Sequence, residues 1–323
     1  MAERTVITIG NFDGMHVGHR RIVSRAAEIA QEVGAKVVAM TFYPSPASVL
    51  RPGFEPPRLM DRDQRLGALR AAGVNEVVVL TPTPEVLTLT AEQFIAQVVE
   101  RYHPVAWVEG TDFRFGHNRA GDVRLLQQLS SRLGFSTYLL DKIQVSLSDQ
   151  LVAPVSSTLI RWLLAQGRVA DATRCLGQPF SISGNVIAGN KQGRTIGIPT
   201  ANLDPVPMSG RALPVDGVYA GRARLKSGAE FTAAISVGVK PTFGQNHRLI
   251  EAHLLGFKDD LYDQTIEVVF DRWVRDQQPF PSIDTLKRQI MRDIARISQW
   301  HERTIGTNLS CDAGSNKFSS PVM

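Results

Sequence analysis

Apolar, β-branched runs alternate with helical stripes along the first half of the chain. The run TVITI at 5–9 predicts a buried strand. Ile22, Val23, Ala26, Ile29, Ala30 and Val33 then recur at helical spacing and predict a helix over 19–33, closed at Gly34. KVVAMTF at 36–42 predicts a second strand, ended by Pro44 and Pro46, and the Pro-rich segment 44–59 predicts a loop able to cover a site. A helix at 61–72 closes at Gly73, and EVVVL at 76–80 is a third strand. Thr90 and Gln93 form a capping-box pattern for a helix reaching Tyr102. A strand at 105–108, a helix at 123–133 ended by Gly134, and a strand at 135–140 follow. Strands alternating with helices predict a parallel, doubly wound α/β sheet, whose ligands lie beyond the carboxyl ends of its strands.

The pattern changes after Leu176. Short strands with glycines between them, at 181–188, 217–225, 231–237, 251–255 and 265–273, predict a small antiparallel barrel or sandwich. Leu286, Ile290 and Ile294 mark a closing helix over 282–300, and the polar, aperiodic residues after 304 predict a disordered tail. The domains expected are therefore 1–177, 178–303 and a tail at 304–323, with no internal repeat.

Length supports this division, because 323 residues are long for one core. No apolar run approaches the ~20 residues that span a bilayer, and MAERTVITIGNFDG lacks a signal-peptide layout, so no membrane association is expected. Two cysteines, Cys175 and Cys311, form neither a disulfide framework nor a metal spacing, which predicts a reducing, cytoplasmic setting. Net charge is +5, but the basic residues are spread out and no Lys/Arg block with interleaved aromatics marks a nucleic-acid surface. Anionic small molecules account for mild basicity equally well.

The candidate chemistry begins in GNFDGMHVGH at 10–19. Gly10 and Gly14 allow sharp turns or close approach to a ligand, and His16 and His19, flanking Gly18, stand where a strand gives way to a helix. Unpaired N–H groups at a helix start attract anions, and two imidazoles there can donate to phosphate oxygens. The lesser alternatives are metal ligands, for which no third His or Cys stands with them, or ordinary turn residues. In EGTDFRFGHNRAG at 109–121, Phe113 and Phe115 suit stacking on a planar ring, or a plain loop with two rings tucked into the core. In VSSTLIR at 155–161, Ser156 caps a helix, and Ser157, Thr158 and Arg161 suit outer phosphates, or a simple cap with a surface arginine. In GNKQGRTIGIPTAN at 189–202, Gly193, Arg194 and Gly197 suit phosphate, and Thr200 and Asn202 offer hard oxygens for Mg²⁺. Taken alone, that segment reads more simply as a barrel hairpin, and Glu251 as part of a solvated strand face.

Together these motifs, in this order, resemble the bacterial bifunctional riboflavin kinase/FMN adenylyltransferase family, also called FAD synthetase. The resemblance runs from Thr5 to about Ile294 and includes GVY at 217–219, VGVKPTF at 237–243 and EAHLL at 251–255. It implies a Rossmann-like nucleotidyltransferase domain followed by a riboflavin kinase β-barrel with a C-terminal helix. It implies two reactions, riboflavin to FMN and FMN to FAD, each using ATP, with Mg²⁺ as the cofactor, no nucleic-acid partner and a monomer or weak homo-oligomer. Glu251, His16 and His19 are the implied catalytic residues. The implied nucleotide contacts are Gly10, Phe12, Asp13, Gly14, Gly18, Ser156, Ser157, Thr158 and Arg161 in one module and Gly193, Arg194 and Thr195 in the other. Asp112, Phe113, Phe115 and Arg275 are implied for flavin, and Thr200 and Asn202 for the metal.

The resemblance breaks at Ser45 and Ala188, where the family usually carries histidine, and at Gly256 and Asp263, which replace a usual Asp and Gly. The first bears on the adenylyl-transfer pocket and the others on the kinase loops. A member with one silenced module, or a non-catalytic flavin-binding regulator, stands as the alternative.

Overall fold

The structure is a computed structural model that describes residues 3–189, 193, 196–239 and 248–312, with side chains as far as Arg303. The chain divides into two compact units. One comprises Met1–Trp162, Arg174–Gln178 and Gly210–Ala212, and the other Leu163–Thr173, Pro179–Ser209 and Leu213–Met323.

The first unit alternates strands and helices: β1 (Thr5–Ile9), α1 (Val17–Val33), β2 (Lys36–Phe42), α2 (Pro46–Leu50), α3 (Arg62–Ala71), β3 (Glu76–Leu80), α4 (Pro84–Leu87), α5 (Ala91–Tyr102), β4 (Pro104–Gly110), α6 (Val123–Leu133), β5 (Ser136–Leu140), β6 (Gln144–Ser146) and β7 (Val152–Pro154); the next helices, α7 (Ser157–Ala165) and α8 (Val169–Leu176), are each divided between the two units. The five main strands form one parallel sheet in the order β3-β2-β1-β4-β5. All five residues of β1 are buried, as a central strand covered on both faces requires. Successive side chains leave it on opposite faces: Val6 joins a core with Val23, Ala26 and Ile29 of α1, and Ile7 joins one with Phe94, Trp107 and Leu126. Each such aliphatic side chain removed from water contributes ~1.5–3 kcal/mol.

The helix ends obey local chemistry legible in the sequence. Gly34 closes α1 in the left-handed region, and capping boxes join Asp61 to Gln64 and Thr90 to Gln93. Some bounds differ from those expected. Helix α1 starts at Val17, not at 19, because His16 itself is the N-cap. The Pro-rich loop contains the short helix α2, capped by Ser45. Strand β4 runs on to Gly110, so Glu109 belongs to the sheet and not to the loop after it. The short elements α4, β6 and β7 carry too few residues for a periodic signal.

The second unit is a closed barrel, not a sandwich, in the order β10-β11-β12-β9-β8-β13. Its strands are β8 (Phe180–Ile187), β9 (Ala201–Leu203), β10 (Gly217–Leu225), β11 (Glu230–Val239), β12 (Arg248–Leu254) and β13 (Thr265–Arg275). Strict alternation along β8 and β12 sends Ile182, Val186, Ile250, Ala252 and Leu254 inward. Strand β9 has three residues and gave no signal of its own. The closing helix α9 (Ile283–Asp312) runs past the expected end at 300, and no proline stands between Pro281 and Pro321 to stop it. Backbone 304–312 of the expected tail is therefore helical, and 313–323 lie outside the described residues. Among the described residues, no helix is long and apolar enough to cross a membrane.

Candidate active site

In the first unit the chain passes from β1 to α1 through a tight turn in which Phe12 and Met15 take positive φ of 47° and 39°. Such conformations are sparsely populated outside glycine and are held only by strong surroundings. Both side chains are fully buried, which anchors the turn. Gly18 leaves the room His16 needs, since a Cβ there would lie 3.1 Å from the imidazole.

His16 and His19 stack face to face at 3.6 Å, with Phe12 edge-on to His19 at 5.3 Å. His16 Nδ1 accepts the His19 N–H at 3.3 Å, so the neutral ring carries its proton on Nε2. Burial lowers the His16 pKa to about 4, against the opposing pull of Asp13. Burial, then His16 and then Arg65, hold His19 well below the usual imidazole range. Both rings are therefore neutral near pH 7, and His19 Nδ1 has no partner among the described residues.

Asp13 ties the pocket together. Its buried carboxylate accepts the Leu59 N–H at 3.0 and 3.1 Å and the Met60 N–H at 3.0 Å, and it pairs with Arg161 Nη2 at 2.6 Å. Its backbone carbonyl accepts the Ser157 hydroxyl at 2.8 Å. Arg161 Nε also donates to the Pro57 carbonyl at 2.6 Å. Ser156 caps α7 through the Leu159 N–H at 3.1 Å, which leaves Thr158 exposed on the first turn. The structure thus brings the 10–19 and 155–161 motifs together.

Beyond β4, Phe115 is buried and packs in the core, while Phe113 stacks on it at 5.2 Å and stays half-buried. Asp112 is exposed and paired with Lys142 at 2.9 Å.

In the second unit, Glu251 and Asn202 are direct cross-strand partners of β12 and β9, on the outward face. Partners so placed have Cβ atoms ~5 Å apart. Asn202 Nδ2 donates to the Thr200 carbonyl at 3.2 Å, which turns its Oδ1 the other way as a hard oxygen. Thr200 lines a cavity of about 460 Å³ with Ala252, Leu254, Phe257, Lys258 and Tyr262. Glu251 and Asn202 are not among its lining residues. Arg275 is engaged by the buried Asp293 of α9 at 2.8 Å and lies over Phe280. Arg194 and Thr195 lie outside the described residues, and Gly193 within them.

Comparison with known proteins bears on both units. The family model described as FAD synthetase matches residues 1–158, and that described as riboflavin kinase matches 176–301. The bifunctional riboflavin kinase/FMN adenylyltransferase of Haemophilus influenzae is 36% identical over 89% of this chain and 91% of its own. That of Escherichia coli K12 is 36% identical over 90% and 91%. The chain belongs to the bifunctional riboflavin kinase/FMN adenylyltransferase family. A solved structure described as a macrolide-efflux protein from Streptococcus pneumoniae shares the fold, with a TM-score of 0.82, 29% identity and coverage of 93% and 95%.

Against this family three of the four departures find local explanations, and Ala188 has none in the structure. Ser45 caps α2 through the Ser48 N–H and donates to Glu55 at 2.9 Å. Gly256 and Asp263 both sit at positive φ, 79° and 60°, a region open to glycine and comparatively tolerant of aspartate. Three residues near the first site escaped the motif reading: Arg65, 4% exposed and 3.9 Å from Asp13; Arg211, paired with Asp61 and bonded to the Leu59 carbonyl; and Glu109. Arg65 shares the buried face of α3 with Leu69, a signal available from periodicity.

Proposed function

We propose that the barrel unit transfers the γ-phosphoryl group of ATP to the 5′-hydroxyl of riboflavin, and that the first unit joins the resulting FMN to the adenylyl group of a second ATP, releasing pyrophosphate. The observation that carries this reading is the match of one family to each unit over most of the chain.

In the first unit the FMN phosphate is already a nucleophile, so the protein has to position and to stabilise charge. His16 and His19, neutral and facing the start of α1, would donate to phosphate oxygens as negative charge moves onto the leaving pyrophosphate. The α1 and α7 N-termini, with the turn from Gly10 to Gly14 and the hydroxyls of Ser156, Ser157 and Thr158, would hold the triphosphate. Asp13 and Arg161 would fix the two motifs against each other. Phe113, with Phe115 behind it and Asp112 beside it, would border the flavin.

In the second unit Glu251 would take the proton of the riboflavin 5′-hydroxyl. Thr200 and Asn202 supply oxygens, the donor class Mg²⁺ takes, and with substrate phosphates they would hold the ion. Bound there, Mg²⁺ would offset phosphoryl charge. Gly193, Arg194 and Thr195 belong to the same nucleotide motif by resemblance. Arg275 would reach flavin only by leaving Asp293. A cytoplasmic monomer or weak homo-oligomer fits this reading.

Two separate incubations test it: riboflavin with ATP and Mg²⁺, and FMN with ATP and Mg²⁺. FMN from the first and FAD from the second are the expected products.

A further inference from the structure

Strand β1 is held on both sides, but unequally. Its ladder with β2 runs the whole way from Thr5–Lys36 to Ile9–Met40, and Gly10 N–H continues it to the Met40 carbonyl at 3.0 Å. Likewise β4 stays paired with β5 as far as Gly110–Leu140. The ladder between β1 and β4 stops earlier, at Ile7–Trp107. In the strand order β3-β2-β1-β4-β5 this is where connections change direction, and the crevice opened there lies under the turn that carries His16 and His19.

Beyond that point a side chain takes over the work of the backbone. Glu109 Oε1 accepts the Ile9 N–H at 2.7 Å across the gap, where a β4 carbonyl would otherwise stand, and the Trp107 Nε1–H at 3.1 Å. Glu109 is 3% exposed and Trp107 fully buried. We propose that Glu109 is a positioning residue for adenylyl transfer, a strut that sets the spacing of β1 and β4 where they part and so aims the β1–α1 turn at the nucleotide. The proposal rests on the reading of the first unit as the adenylyltransferase.

Burial pushes the Glu109 carboxyl well above the usual carboxylate range, against the pull of Ile9, Trp107 and Thr8 and helped by nearby Asp112. Glutamine reproduces the shape of this side chain and its accepting oxygen. The carboxyl is otherwise expensive: a buried acid in a strand of apolar neighbours (VAWVEG) costs stability that valine or leucine would not.

The test measures FMN-to-FAD conversion in the full-length protein with Glu109→Gln and Glu109→Met, alongside thermal midpoints. Methionine fills the space but accepts no useful hydrogen bond. Glu109→Gln should keep kcat within about threefold of the parent, and Glu109→Met should lose about ten- to a hundredfold in kcat at saturating ATP, the scale of a small misplacement of reacting groups. The ATP KM should move far less than kcat. A purely structural role would lower the midpoint and leave the kcat of the folded enzyme alone. Parent-like kcat in Glu109→Met, or a loss in Glu109→Gln as deep as in Glu109→Met, overturns the proposal. Should Glu109→Met be insoluble, Glu109→Gln decides alone, since glutamine keeps an oxygen able to accept from Ile9 and Trp107 and its loss of activity is incompatible with a strut that works through that oxygen. Parent enzyme that makes no FAD would instead refute the function assigned to the unit.

Discussion

The Arg161 guanidinium and the Asp13 carboxylate, 148 residues apart in sequence, meet at 2.6 Å and lock the start of α7 to the turn before α1. The pair is buried on the aspartate side, and the same carboxylate also holds the Leu59 and Met60 amides. It therefore fixes the two segments against each other before any ligand arrives, with the arginine held by Asp13 and by the Pro57 carbonyl.

Removing the acid takes away the carboxylate that Arg161 pairs with and that lies 3.9 Å from Arg65. Asp13→Ala should cost the first unit ~3–5 kcal/mol, the scale for stranding a buried charge, and abolish FAD formation while FMN formation persists. Arg161→Lys should not rescue the site, because one ammonium cannot reach both Asp13 and the Pro57 carbonyl as the guanidinium does. Denaturant unfolding and the two half-reactions check both statements.

The imidazoles make stability depend on pH with a fixed sign. His16 has a folded-state pKa of about 4, below its ordinary 6.5, so the unfolded chain binds the extra proton between these values. Its contribution is fully present above about pH 6.5 and is lost as pH falls towards 4, on the order of 3 kcal/mol for a shift of this size. His19 acts in the same direction. His16→Asn keeps an N-cap acceptor and should flatten the acid side of the stability profile of the ligand-free protein, read by urea midpoints from pH 7.5 to 4.5. An unchanged slope would contradict the burial argument. His19→Ala should lower FAD formation by about 10²–10³-fold, the scale of one lost charge-stabilising donor.

The kinase unit should respond separately. Glu251→Gln should abolish FMN formation and leave FMN-to-FAD conversion intact. Asn202→Ala should raise the Mg²⁺ concentration needed for half-maximal FMN formation, with no such shift in FAD formation from supplied FMN. A shared loss in both half-reactions would show that the two units do not work independently.

Arg275 offers a sharper discrimination. Its Nε bonds Asp293, which is 5% exposed and also bonded by Gln289. If the arginine is a flavin ligand, Arg275→Ala should raise the riboflavin KM more than Asp293→Asn does. If it only pins α9 to the barrel, both variants should lower the thermal midpoint alike and leave KM unchanged.

The architecture was legible because its signals are local. β-Branched runs, glycine stops and capping boxes such as Thr90–Gln93 each arise within a few residues, and they placed the parallel sheet and the barrel strands. Three-residue β9 carries no period to read, and α9 continues where side-chain periodicity fades because nothing in the backbone stops it. The site was legible as motifs but not as roles. Nothing in GNFDG says that Phe12 packs inward or that Asp13 holds amides nearly fifty residues on, and Phe115 belongs to the core that Phe113 only borders. Glu109 left one trace, an acid inside an apolar strand, whose meaning depends on where β1 and β4 separate.

The most direct test of the account is a product time course with full-length protein, riboflavin, excess ATP and Mg²⁺, resolved by chromatography. The account predicts FMN with one ADP per molecule formed, then FAD with one pyrophosphate. FMN that never proceeds to FAD would contradict the two-site reading, and the absence of both products would contradict it entirely.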